Sequence, residues 1–545
     1  MIIMYNTDGK ICKRRLVFMI EKFTALFGSV FEENNVNVNI CYKNTREVCY
    51  CEKTHRYTDE KYILTVSGKQ AEILCSGEKS AFYALCDLAM RLDENTLADG
   101  KYICAPSFKV RGYIEGFYGT PWTHESRLSV LSCMAKNRMN TVYYAPKDDV
   151  YHRDLWRDLY PEDDLLRLKE LLDAAKSFYM DFYWCVAPGL SMKYSDEAEF
   201  NALMEKTKQL YEIGVRSFGL LLDDIDEELE FEEDRALYGE TVNAHIELIE
   251  KYYAALLTLD SSNKLTVCPT LYNGKGTEYY ISRLGQNISP MVSVFWTGRD
   301  VCSRDLTSLE ALKFIEGTHH KPLYWDNYPV NDCSMFNEMH LSPIINRDAD
   351  LWKYSEGIIS NCMEYAECSK IPLITFAEYL WDSENYNSEA AYEKAIRQVT
   401  GKENAENFLV FADHLYTSCL KDANSRRMHK LFNDVERACN AGDLAQAMTL
   451  VSGYVEKMTL CREYLRRDLP ICRELAKWAE KFAVACDIIT TLVEYVMDSD
   501  DELLAKIDAL IDRYDSMPVR LTPDMNLREE LGNLLHADIF KSANK

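Results

Sequence analysis

From about Phe108 to Asp382 the chain alternates short apolar runs with amphipathic stretches. The runs are Val110–Ile114, Thr141–Ala145, Phe182–Val186, Phe218–Leu222, Leu265–Pro269, Val292–Trp296, Pro322–Trp325 and Gly357–Asn361. Each is short and nearly continuous in apolar residues, as expected for parallel strands buried on both faces. Between two of them, Phe200, Leu203, Met204, Thr207, Leu210 and Tyr211 recur at helical spacing, and Gly214 stops the helix. Eight such runs with helices between them predict a (β/α)8 barrel over residues 106–384.

The flanks read differently. In residues 1–105, Tyr62–Val66 and Ala71–Cys75 flank Ser67–Gln70, which predicts a hairpin. Phe82, Leu85, Leu88, Ala89 and Leu92 then follow the helical period. A small α+β domain is expected there, with Pro106 near its end. Over residues 385–545 the strand signal disappears. Arg426–Asn440, Leu444–Leu465 and Leu469–Met497 predict long helices, punctuated by Gly442, Pro470 and Pro518. A C-terminal helical bundle is expected.

Composition narrows the function. The 545 residues are 47% hydrophobic and 12% aromatic, enough for sizeable cores. The net charge of −25 argues against nucleic acid and against an anionic membrane as partners. The 19 cysteines show no zinc spacing, which predicts reduced thiols rather than a metal centre. The first residues lack the basic start and long apolar core of a signal peptide, and no window approaches a membrane span. A cytoplasmic protein is the expectation.

The chemistry lies where the runs end. Leu220-Leu221-Leu222 stops abruptly at Asp223-Asp224. Ionised Asp at the end of a buried strand needs a partner or a task. The carboxyl ends of barrel strands are where catalytic groups sit. The other runs end in Glu115-Gly116-Phe117-Tyr118-Gly119-Thr120-Pro121-Trp122, Ala145-Pro146-Lys147-Asp148-Asp149, Pro269-Thr270-Leu271-Tyr272, Trp296-Thr297-Gly298, Trp325-Asp326-Asn327 with Asn331-Asp332, and Ser360-Asn361. This ring of hydroxyls, amides, carboxylates and aromatic faces, with a single Lys, suits a neutral sugar.

In this order the strings resemble glycoside hydrolase family 84, over about residues 108–365. Thr120, Leu271 and the Leu220–Leu222 run depart from the family's usual residues without removing a catalytic group. The resemblance implies a retaining exo-β-N-acetylglucosaminidase. In it the substrate's own 2-acetamido oxygen attacks the anomeric carbon and forms an oxazoline. Asp223 would hold the amide N–H, and Asp224 would protonate the leaving oxygen and then activate water. Tyr272 would bond the acetamide oxygen. The Gly116 backbone and Lys147 would meet a ring hydroxyl. Asp332 would grip the 4- and 6-hydroxyls, with Asn327 and Asn361 assisting. Trp325 and Thr297 would wall the acetamide pocket, and Val301 would lie near the leaving group. The implied partner is a glycoside or glycopeptide bearing N-acetylglucosamine, with no cofactor and no metal. Repulsion between the two carboxylates should raise the pKa of one of them.

Blander readings compete residue by residue. Asp223-Asp224 could cap a helix. Glu227–Asp234 reads mostly as a solvated acidic face. An EF-hand is disfavoured because Leu229 stands where that loop needs Gly. His124 and His319-His320 lack metal spacing and read as structural or surface residues. The rival from another class is a sugar-binding or scaffold protein that has lost catalysis.

Overall fold

The computed structural model describes residues 2–5, 23–24, 26–28, 30–147, 149–421, 425–498 and 500–522. Eight parallel strands close into a barrel: Val110–Glu115, Thr141–Tyr144, Asp181–Val186, Ser217–Leu221, Lys264–Cys268, Ser293–Trp296, Pro322–Asp326 and Gly357–Asn361. They pair in chain order, and the eighth closes onto the first with Gly357 opposite Val110 and Asn361 opposite Ile114. The (β/α)8 expectation holds, with each strand within about two residues of its apolar run.

Alternation within a strand separates two cores. Leu221 points inward with Tyr143, Tyr183, Cys185, Phe295 and Trp325, while Leu220 and Leu222 join the core between strands and helices. Tyr143 and Tyr183 stack at 4.2 Å inside the barrel, and the Tyr143 hydroxyl bonds Thr266 Oγ1 at 2.9 Å. The barrel is therefore plugged below its carboxyl face, so a ligand can enter only from that end.

Before the barrel lies a five-stranded sheet with neighbours in the order Ile2–Tyr5, Asn37–Tyr42, Gln70–Cys75, Tyr62–Ser67 and Gly100–Cys104. The expected hairpin pairs Tyr62–Ser67 with Gln70–Cys75. Helix Glu78–Asp93 follows, its residues from Ser80 to Met90 all buried. A buried ion pair ties this unit to the barrel. Arg111, on the first barrel strand, meets Glu60 at 2.9 Å, and both are almost fully enclosed. Burial pushes the Glu60 carboxyl up, but Arg111 and Lys79 outweigh it and hold the pKa at about 2.

After the barrel the elements among the described residues are helices, apart from an isolated bridge between Ser418 and Lys421. Arg426–Asn440 and Leu444–Leu465 form as expected. The single helix expected over 469–497 is instead two, Pro470–Glu474 and Ala476–Asp498, separated at Leu475. Glu474, the last residue of the first, reaches back to the barrel. Its carboxylate accepts the backbone N–H groups of Glu367 at 3.0 Å and Cys368 at 2.9 Å, so it caps the start of the barrel's last helix, Ala366–Trp381.

Candidate active site

Barrel closure brings the strand ends to one face, and a cavity of about 290 Å³ opens there. All eleven candidate residues line it: Gly116, Lys147, Asp223, Asp224, Tyr272, Thr297, Val301, Trp325, Asn327, Asp332 and Asn361. Tyr118, Cys268, Cys302, Val330 and Cys333 line it too. Asp148 lies outside the described residues. Two larger clefts, of about 600 and 700 Å³, lie near Glu94, Glu378 and Lys394. Their charges pair with one another, as in Arg138–Glu378 and Lys394–Glu378, so those clefts read as interdomain packing.

The floor is rigid because side chains hold the strand ends. Thr270 Oγ1 donates to the Leu222 carbonyl at 2.7 Å, and the Leu222 N–H donates to the Cys268 carbonyl at 2.9 Å. These bonds fix the backbone from which Asp223 projects. Gly116 packs its bare α-carbon against the Trp325 indole, where an added Cβ would lie 2.6 Å from the ring. The indole N–H donates to Asn327 Oδ1 at 2.9 Å. Asn361 Nδ2 donates to the same oxygen at 2.9 Å, and Asn327 Nδ2 reaches the Val301 carbonyl at 2.8 Å. Asn327 thus braces the wall. Thr297 lines the cavity with its hydroxyl turned to the Asp300 carbonyl at 2.8 Å.

The two central carboxylates occupy opposite environments. Asp223 is buried, with Lys147 Nζ 2.6 Å from its Oδ2. Burial pushes its pKa up, but the Lys147 charge and hydrogen bond outweigh burial and hold it below the ordinary value. Burial likewise pushes the Lys147 ammonium down, and Asp223 more than compensates. The expected mutual repulsion therefore does not raise Asp223, because a cation sits against it and also lies 3.8 Å from Asp224. Asp223 Oδ1 is buried and has no hydrogen-bond partner among the described residues, and the same is true of Asn361 Oδ1. Each can accept a donor from a ligand.

Asp224 is partly exposed and adopts a positive φ of 54°. Two phenols hold it: Tyr272 donates to Oδ1 at 2.9 Å and Tyr118 donates to Oδ2 at 2.7 Å. Arg153 Nη1 donates to the Tyr118 hydroxyl at 2.9 Å, and Nη2 approaches the Asp224 carbonyl at 3.3 Å. A guanidinium can only donate, so the Tyr118 proton must point at Asp224. Across the cavity, Asp332 Oδ2 accepts the Tyr118 backbone N–H at 2.8 Å, and burial pushes its carboxyl pKa up.

Sequence reasoning missed Tyr118 and Arg153. Tyr118 stands inside the Glu115–Trp122 string, so its position carried a signal. Arg153 had none, because its role depends on a contact with residues 35 and 71 positions away. Asp234 is a correction of another kind. The acidic stretch is mostly exposed, but Asp234 is buried and accepts the N–H groups of Tyr194 at 2.9 Å and Ser195 at 2.7 Å. Glu115, though it ends a strand, is enclosed behind the cavity and paired with Arg127 at 2.7 Å.

A closed parallel barrel whose carboxyl face carries adjacent carboxylates in a polar, aromatic-walled cavity has the build of a barrel glycoside hydrolase. The beta-N-acetylglucosaminidase family model matches residues 111–413, more than half of the chain. A solved O-GlcNAc hydrolase mutant from Thermobaculum terrenum shares 30% identity, with a TM-score of 0.72 over 80% of this chain and 97% of that one. A structure of CpGH84B shares 26% identity, with a TM-score of 0.76 over 92% of each chain. Protein O-GlcNAcase of Rattus norvegicus and of Mus musculus are each 30% identical over 284 residues. That match spans 51% of this chain but only 30% of the length of those relatives. The chain belongs to the β-N-acetylglucosaminidase family, the glycoside hydrolase family 84 that its ordered motifs resemble.

Proposed function

We propose that this chain is a retaining exo-β-N-acetylglucosaminidase working by substrate-assisted catalysis. The observation that carries the reading is the contrast between the two neighbouring carboxylates. Asp223 is buried, held ionised by Lys147, and keeps one oxygen free. That oxygen can accept the acetamide N–H and stabilise the positive charge as the amide oxygen attacks the anomeric carbon. Asp224 lies at the open side and delivers a proton to the leaving oxygen, then takes one from the water that opens the oxazoline. Two inversions at one carbon retain the configuration.

Tyr272 links the two steps. Its one proton goes to Asp224 Oδ1. With substrate bound it turns to the acetamide oxygen, and Oδ1 becomes free to carry the acid proton. Lys147 and the Gly116 backbone meet a ring hydroxyl, Asp332 grips the 4- and 6-hydroxyls, and Asn327 and Asn361 support them. Trp325 and Thr297 wall the acetamide, and Val301 borders the leaving group. The scheme uses side chains and backbone alone and calls on neither cofactor nor metal. Among the described residues no cluster of His, Cys, Asp or Glu is placed to hold a metal.

The substrate class is a terminal β-linked N-acetylglucosaminide, and the names of the relatives favour O-linked N-acetylglucosamine on protein. Among the described residues no helix is long and apolar enough to cross a membrane. The described cysteines are free.

Hydrolysis of an aryl β-N-acetylglucosaminide by the purified chain tests the reading. Turnover is expected, with the rate falling as the N-acetyl group is fluorinated and the amide oxygen becomes a weaker nucleophile. Tight sugar binding with no turnover would instead establish the binding-protein reading. Turnover insensitive to N-fluoroacetyl substitution would remove substrate assistance.

A further inference from the structure

A buried histidine behind the cavity takes part in no step of the proposed reaction. His245 lies on the helix Thr241–Leu259 and is fully enclosed. Its Nε2 meets the Tyr194 hydroxyl at 2.9 Å, and its Nδ1 meets the Tyr280 hydroxyl at 2.8 Å. Tyr280, on the helix Tyr279–Asn287, accepts the Thr270 backbone N–H at 3.3 Å, and its hydroxyl lies 3.5 Å from Thr270 Oγ1. Thr270 Oγ1 in turn donates to the Leu222 carbonyl at 2.7 Å. A line of hydrogen bonds thus runs from the helices around the barrel to the peptide that joins Leu222 to Asp223. Thr270 stands two residues before Tyr272. The line therefore ends between the two strand ends that carry Asp223, Asp224 and Tyr272. Its outer end is anchored as well, because buried Asp234 accepts the Tyr194 backbone N–H at 2.9 Å.

Proton directions along the line follow from the donors and acceptors present. A carbonyl can only accept, so the Thr270 hydroxyl proton goes to Leu222 and its oxygen is left to accept from Tyr280. Burial pushes the His245 pKa down to about 3, so the ring is neutral and carries one proton. Burial pushes the Tyr194 hydroxyl up, and His245 Nε2 is its acceptor among the described residues. The Tyr194 proton therefore goes to Nε2, the ring proton sits on Nδ1 and goes to Tyr280, and the Tyr280 proton goes to Thr270. The other tautomer would leave the Tyr194 hydroxyl proton enclosed without an acceptor, which is costly.

We propose that His245 is a positioning residue, which sets the Asp223–Asp224 turn against Tyr272 by acting through Tyr280 and Thr270. Apolar packing between helix and strand tolerates small slides, whereas a hydrogen bond weakens steeply with distance and angle. The line fixes the Leu222 carbonyl and the Thr270 backbone together, so the two strand ends cannot shift independently. Asp224 needs such support. It holds a φ of 54°, a conformation that a non-glycine residue keeps only where its surroundings over-determine it. Its Oδ1 must also stay within reach of the Tyr272 hydroxyl, 2.9 Å away.

The effect on turnover rests on the proposed function, but the tautomer does not. His245→Asn keeps a donor where Nδ1 stands and gives up the Tyr194 contact. His245→Gln reaches Tyr194 instead and gives up the Tyr280 contact. The full chain and both variants are compared on an aryl β-N-acetylglucosaminide, with melting curves alongside. His245→Gln should lose about tenfold in kcat, a fraction of the ~10²-fold that a 1 Å misplacement costs, while His245→Asn keeps most of the rate. KM should hardly move in either variant, since no sugar contact is removed. Tyr280→Phe should reproduce the loss, and adding His245→Gln to it should cost little more. Should His245→Gln not fold, Tyr280→Phe carries the rate comparison. Equal kcat losses in the Asn and Gln variants, matched by equal losses of melting temperature, would reduce His245 to a structural residue and overturn the proposal. A Gln variant with the parent's kcat would overturn it too. In 15N spectra of ring-labelled histidine, the signal missing from His245→Asn should report a proton on Nδ1. A proton on Nε2 would overturn the direction of the line. A parent chain inactive on every aryl glycoside sinks the proposed function, while the tautomer still decides that direction.

Discussion

The sides of this cavity proposed to take the acetamide and the leaving group begin from the same residue type at adjacent positions and end in opposite physical states. On the inner side, Asp223 is enclosed, Lys147 lies 2.6 Å away, and Trp325 closes the wall. On the outer side, Asp224 is reachable from solvent and is held by two phenolic protons rather than by a direct cation contact. An ion pair in a buried setting fixes the charge of its members, since separating or neutralising either one is costly. Hydroxyl donors at a partly exposed carboxylate exchange far more readily. The inner carboxylate is built to stay charged, and the outer one suits the acid and base role proposed for it.

The largest expected effect breaks the outer side. Asp224→Asn should slow turnover of glycosides with poor leaving groups by about 10²–10⁴-fold, the usual worth of a general acid, and affect activated aryl glycosides much less. Equal losses across a leaving-group series would show that Asp224 is not the acid.

Next comes the ion pair of the inner side. Lys147→Met leaves Asp223 buried without its cation, and truncating one partner of such a pair costs about 3–5 kcal/mol. The pH dependence has a definite sign. The Asp223 pKa is depressed, so its contribution to stability is present above the ordinary carboxylate range and fades as pH falls below it. In Lys147→Met burial is left to raise the Asp223 pKa, so loss of binding should begin at higher pH than in the parent, while stability lost at neutral pH should be partly regained on acidification as Asp223 takes up a proton. Melting curves from pH 7 down to 3 would show it, and parallel curves for the two proteins would contradict the pairing argument.

Asp332→Ala should cost about 2–3 kcal/mol in kcat/KM through lost charged hydrogen bonds. The cost should shrink for substrates lacking the 4- or 6-hydroxyl. Simple additivity of the two deletions would show that Asp332 does not touch those hydroxyls.

The smallest effect sharpens the outer side. Tyr118→Phe removes one donor to Asp224 and should cost about 0.5–1.5 kcal/mol. Arg153→Met should act through the same hydroxyl, so the double variant should lose little more than Tyr118→Phe alone. Full additivity would separate Arg153 from the Tyr118–Asp224 contact.

Much of this architecture was legible in the sequence. Parallel barrel strands are buried on both faces, so runs such as Phe218–Leu222 announced themselves without alternation. Their polar ends marked the catalytic face because a closed barrel gathers every strand's carboxyl end. That geometry is why residues from Gly116 to Asn361 could be named as neighbours before any distance was known. The helix expected over 469–497 is instead divided at Leu475. Glu474 serves a helix that begins more than a hundred residues earlier.

Local pattern, then, determined which segments are strands and helices and which strand ends carry polar groups, because burial and period act over a few neighbouring residues, and the family resemblance singled out the site residues among them. Tertiary structure alone decided what those side chains do to one another. Lys147 against Asp223, Arg153 behind Tyr118, Asp234 under Tyr194 and Ser195, and Cys419 beneath Asn327 are meetings between distant segments. Charge state and proton direction depend on distances of 2.6 to 2.9 Å between such segments. Coulombic attraction and hydrogen bonding change steeply over that range. No pattern along the chain encodes separations so fine, because they exist only once the barrel has closed and the helical region has packed against it.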